Sequence, residues 1–120
     1  MFFDHMGDVE KKPEEIVKEL VSKYIKSKPS RITLRLDWEN KRSSISIKAD
    51  NLDETAEYFQ PIDFTSFAHG VVEAYREVYG ELKLVPVSFR EEIYENDKLS
   101  IDLYPTGSAG VFDIFVEYRQ

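Results

Sequence analysis

Cysteine is absent from this chain, and histidine occurs only twice, at His5 and His69. The first absence excludes disulfides, thiolate metal sites and cysteine nucleophiles together. The second leaves no imidazole cluster for zinc and no placed base for a Ser–His–Asp relay. Long apolar runs are missing too, so no segment reads as a membrane span. Met1 is followed by Phe2-Phe3-Asp4-His5, with no basic region and no apolar stretch behind it, so no secretory leader is expected and the cytoplasm is the expected compartment. Positive charge is in deficit, with 16 Lys and Arg against 23 Asp and Glu and a net charge of −7. That balance argues against nucleic acid as a partner and for a basic protein.

What is present suffices for one folded domain. Apolar residues make up 42% of 120 positions and aromatics 13%, enough to fill a single core despite 32% charged residues. Lys12-Pro13-Glu14-Glu15 is a helix start, with proline in the first turn and acids at the positive end of the macrodipole. Ile16, Val17, Leu20, Val21, Tyr24 and Ile25 continue it as one apolar face, and Pro29 ends it. Residues 31–38 alternate strictly, which predicts a strand with Ile32, Leu34, Leu36 and Trp38 facing the core. Residues 44–49 repeat the alternation after a short polar connection, so the two are expected to pair antiparallel.

A second helix is predicted over 64–79, with Phe67, Val71, Tyr75 and Val78 on one stripe, Asp63 or Thr65 as cap and Gly80 just past its end. Leu82 to Phe89 is strand-like, but Pro86 confines it to a sheet edge or a bulge. Residues 98–104 and 111–118 alternate again, joined by a turn at Pro105 to Gly110. Gly107-Ser108-Ala109-Gly110 lacks the lysine of a phosphate loop and leads into a strand. The expected architecture is α+β in the order α-β-β-α-β-β-β, one domain over 1–120 with an antiparallel sheet and two main helices on one face.

Charge is distributed unevenly. Residues 18–48 hold nine bases and three acids, and the remaining positions hold seven bases and twenty acids. The acids concentrate in 50–63 and 91–97, read as loops, the first with a single helical turn after Asp53. Aromatic side chains inside them suit an interface that receives Lys and Arg, because a buried ring anchors while an acidic rim steers. The candidate partner-binding residues are therefore Asp50, Asp53, Glu54, Glu57, Tyr58 and Phe59, with Glu91, Glu92, Tyr94, Glu95 and Asp97. No catalytic residue, metal ligand or cofactor site is assigned. Adjacent carboxylates such as Glu14-Glu15 and Glu91-Glu92 lack the cleft that acid–base work needs, and residues 50–54 lack the glycine of a calcium loop.

The helix leading into Ile32 to Trp38, the central amphipathic helix, and the ending Leu99-Ser100-Ile101-Asp102-Leu103, Gly110-Val111-Phe112-Asp113-Ile114 and Tyr118 resemble the small acidic immunity proteins of bacterial polymorphic toxin systems. The nearest likeness is to the YezG-like antitoxin family. Such proteins bind and block a cognate toxin, often a nuclease, in the producing cell, and the resemblance implies that role here. The alternative reading is a small enzyme or ligand-binding domain with a pocket between sheet and helices, lined by aromatics such as Trp38 and Tyr75. A dimer through exposed sheet edges is a third.

Overall fold

The computed structural model describes residues 11–88, 91–104 and 108–120. His5, Phe89 and the Pro105–Gly107 part of the last turn lie outside them. The elements run α1 (Pro13–Tyr24), β1 (Arg31–Asp37), β2 (Arg42–Ala49), β3 (Leu52–Tyr58), α2 (Phe64–Tyr79), β4 (Lys83–Ser88), β5 (Glu91–Glu95), β6 (Leu99–Tyr104) and β7 (Val111–Tyr118), with short 3₁₀ turns after α1 and before β7. All seven strands form one antiparallel sheet in the order β3-β2-β1-β7-β6-β5-β4. The fold is α+β as expected, but the order is α-β-β-β-α-β-β-β-β. Two strands sit where acidic loops were expected, at 52–58 and 91–95.

Strand parity builds the core. Ile32 and Leu34, Ile45 and Ile47, Leu99 and Ile101, and Ile114 point to the helical side and are fully buried. Against them α1 sets Val17 and Val21, and α2 sets Phe67, Val71 and Tyr75, all with no exposed surface. Each such side chain stabilises the fold by about 1.5–3 kcal/mol relative to exposure. The helices touch at Gly70, where an added Cβ would lie 2.6 Å from Val17 Cβ and 2.7 Å from the Glu14 carbonyl oxygen. Asp63 caps α2 by accepting from the Ser66 N–H at 3.4 Å, and Gly80, at φ 90°, ends it with its N–H on the Arg76 carbonyl.

One polar chain threads the buried side. The Tyr75 and Tyr118 hydroxyls are 2.8 Å apart, and Tyr118 donates to the Pro29 carbonyl at 2.8 Å. Burial pushes both phenols well above the usual range. This ties α2, β7 and the α1–β1 connection together.

Pro86 lies in edge strand β4, where the register shifts between Pro86 and Ser88, as its missing N–H requires. Trp38 departs from expectation. Strand β1 ends at Asp37, so the indole is not on the core face but 60% exposed.

Candidate interaction face

Both helices pack on one side of the sheet, and no described element covers the other. Parity and register say which side chains stand on that uncovered face. From β3 and β2 come Asp53, Thr55 and Glu57, then Arg42, Ser44, Ser46 and Lys48. From β1 and β7 come Arg31, Thr33 and Arg35, then Val111, Asp113, Phe115 and Glu117. Ser100, Asp102 and Tyr104 of β6 follow, and Glu91, Ile93 and Glu95 of β5. Charge is partly sorted: arginine and lysine occupy β2 and β1, flanked by Asp53 and Glu57 of edge strand β3, and carboxylates occupy β7, β6 and β5, flanked by Lys83 of edge strand β4.

The seam between the halves is a fixed cluster. Asp113 accepts from Thr33 Oγ1 at 2.6 Å and from Arg31 Nε at 3.1 Å. Burial pushes the Asp113 carboxyl up, but these donors outweigh it and hold it below the ordinary carboxylate range. The Arg31 guanidinium also lies 5.6 Å from the centre of the Phe115 ring, which meets Tyr104 edge-on at 5.9 Å. Phe115 and Tyr104 are 40% and 38% exposed. Two aromatic rings therefore stand at the border of the carboxylate half.

Within that half Asp102 is the perturbed group. Its Oδ1 atom is buried without a hydrogen-bond partner, and Glu91 lies beside it. Burial first, then hydrogen bonding and charge repulsion from Glu91, push Asp102 up to about 6. The Tyr104 phenol is also raised, chiefly by its hydrogen bond to Glu91. A cation arriving here would relieve two crowded carboxylates at once.

The residues expected to bind a partner fall in two separate places. Asp50, Asp53, Glu54, Glu57, Tyr58 and Phe59 belong to edge strand β3 and its flanks, and Glu91, Glu92, Tyr94, Glu95 and Asp97 to β5 and its turn. Five inter-strand steps separate β3 from β5, about 24 Å. Glu54, Tyr58, Glu92 and Tyr94 have the parity of the helical side: Tyr58 packs against the core, and Tyr94 lies under the Arg76 guanidinium at 5.8 Å. Phe59 is 80% exposed with the Arg42 guanidinium 4.9 Å from its ring centre. Asp53 and Glu95 already have partners, Lys48 at 3.9 Å and Arg119 at 2.9 Å. Glu91 and Glu95 remain on the uncovered face. They are joined there by Asp102, Tyr104, Phe115 and Glu117, which lay in the polar parity of 98–104 and 111–118.

His69 is exposed on α2, 3.7 Å from Glu14. Among the described residues no group of three or more His, Cys, Asp or Glu is placed to hold a metal ion, and no helix is long and apolar enough to cross a membrane. The space between sheet and helices is filled by the core, with two indentations at its margin, about 90 Å³ by Phe64, Ala68, His69 and Tyr94 and about 200 Å³ by Glu14, His69, Glu73, Arg76 and Tyr94. Trp38 and Tyr75, offered as walls of one pocket, stand on opposite sides of the sheet, Tyr75 fully buried. No protein-family model matches this chain, and no curated protein shows significant similarity to it.

Proposed function

We propose that this chain is a non-enzymatic binding protein that occludes a basic protein partner with the carboxylate half of its uncovered sheet face, in the manner of an immunity protein holding its toxin. The observation that carries the reading is Asp102, Glu91, Glu95 and Glu117 grouped around Phe115, Tyr104 and Ile93. Exposed rings anchor an interface and carboxylates, of which Glu95 already holds Arg119, steer a cationic one, so association is fast and falls with salt. The filled interior favours this over a ligand pocket between sheet and helices. The acids of β3 lie too far away for the same contact and act at longer range.

The test begins with affinity capture from the native host, and the captured protein is identified and titrated. The reading expects a basic protein whose affinity drops at least about tenfold between 50 and 300 mM salt and again in the double variant Glu91→Lys with Glu117→Lys. An acidic partner, or full affinity in that variant, refutes it.

A further inference from the structure

We infer that the opposite end of the uncovered face is a site for a small phosphate-bearing ligand with a planar ring, of the mononucleotide class. This goes beyond the proposed function and does not depend on it. A shallow, largely open depression of about 520 Å³ lies there, lined by Arg35, Asp37, Trp38, Arg42, Ser44 and Glu57 among others.

Sequence and register build it. Glu57, Ser44 and Arg35 form one cross-strand row, so they stand side by side at about 4.8 Å spacing. Arg42 lies two residues before Ser44 on the same strand and therefore on the same side. The far wall is the turn at Ala109 and Gly110, with φ of 53° and 78°. Gly110 is pressed against β1, where a Cβ would sit 2.5 Å from the Leu36 carbonyl oxygen, so this wall has a fixed distance from the floor.

The chemistry follows from what these groups lack. Neither Arg35 nor Arg42 is in an ion pair among the described residues. Asp37 stands opposite Arg42 across the β1–β2 ladder and lines the same depression, and its carboxylate is engaged by Asn40, accepting from Asn40 N at 3.1 Å and Asn40 Nδ2 at 2.8 Å. The Phe59 ring holds the Arg42 guanidinium in place. Asp37 and Asp113 lie near enough to Arg42 and Arg35 to feel their charge but make no direct ion pair with them, so both planar forks keep donors free for phosphate oxygens, and a point-charge ligand would use only part of them. Trp38, an indole 60% exposed at the rim, offers a stacking surface. Glu57 completes the set as an acceptor for a ribose hydroxyl or a ring amine, the role a carboxylate plays at other nucleotide sites.

Trp38 is the chain's single tryptophan, so its fluorescence reports this depression alone. The experiment titrates the protein with each of the four common nucleoside 5′-monophosphates, with adenosine, with inorganic phosphate and with a poly-glutamate peptide. At least one nucleotide is expected to change the emission saturably with Kd below about 1 mM. Adenosine and phosphate should bind at least about tenfold more weakly, and the double variant Arg35→Ala with Arg42→Ala should lose at least as much. Both arginines are exposed, so an unchanged melting curve checks that the variant folds. Calorimetry on Trp38→Ala reads the stacking contribution without the reporter, again as a loss. The inference is overturned if no nucleotide saturates the signal by about 10 mM, or if phosphate alone binds as well as a nucleotide. It is overturned equally if the acidic peptide binds more tightly, which would make the depression a protein-docking surface.

Discussion

The two sides of the sheet use the same alternation for opposite ends. On the covered side the innermost positions of the central strands, Ile32, Leu34, Ile45, Ile47, Leu99, Ile101 and Ile114, are aliphatic with no exposed surface. On the uncovered side most of the intervening positions are charged, hydroxylic or aromatic and keep contact with water, with Val111 and Ile93 as aliphatic exceptions and Thr33 buried. A polar substitution on the covered side removes packing that nothing replaces, whereas one on the uncovered side changes what the surface attracts. Stability and recognition are thus assigned to alternate residues of the same strands.

The sharpest break in this contrast is at the helix contact. Gly70→Val should cost about 3 kcal/mol, because Val17 and the Glu14 carbonyl occupy the space a side chain needs. Thermal unfolding should show it as a fall of roughly 10 °C. Next is Tyr118→Phe, which leaves the buried Tyr75 hydroxyl without its 2.8 Å partner. A loss of about 1–3 kcal/mol is expected in denaturant titrations, with the double change to Phe at both positions costing less than two single changes added together.

On the other side, Glu91→Lys with Glu117→Lys should move stability by less than about 0.5 kcal/mol. A drop as large as that of Gly70→Val would mean that the face is structural after all.

The smallest effect is pH-dependent. Asp102 titrates at about 6 in the folded protein and near 3.9 when unfolded, so between these values the folded state holds the extra proton. Stability should therefore fall as pH rises from about 4 to about 6 and level off above. Solvent screening at this partly exposed position keeps the change below about 1 kcal/mol. Asp102→Asn should flatten that slope. If the variant keeps it, another group is responsible.

The elements with two-sided support were legible from the chain alone. Residues 31–37 and 44–49 announced β1 and β2 by alternation, and Asp63 and Gly80 marked both ends of α2. Pro86 marked an edge. Strands β3 and β5 were hidden by their carboxylates, which in a linear reading look like solvated loops. An edge strand needs ladder bonds on one side only and tolerates charge, and Asp53, Glu54 and Glu57 deny that edge to a second chain. In β5 the acids Glu91, Glu92 and Glu95 flank Ile93 and Tyr94 without alternation, and the run is too short to stand out between turn residues. Trp38 was misplaced because alternation continues past Asp37 in sequence but not in the sheet. As for the candidate face, the parity of 98–104 and 111–118 already put Asp102 with Ser100 and Phe115 with Glu117. Bringing Phe115 between Arg31 and Asp102 required the β1–β7–β6 register, a long-range pairing that no local pattern contains.

That pairing governs the order of assembly. Strand β7 follows the six others along the chain yet lies in the middle of the sheet, between β1 and β6. During synthesis the β1–β3 meander and the β4–β6 meander emerge as two fragments, each with an unsatisfied inner edge, and neither can join the other until residues 111–118 have left the ribosome. Folding is therefore a late event, closed by a strand about 80 residues downstream of its partner β1, and a nascent chain halted before Val111 exposes two ladders ready to pair with a neighbour.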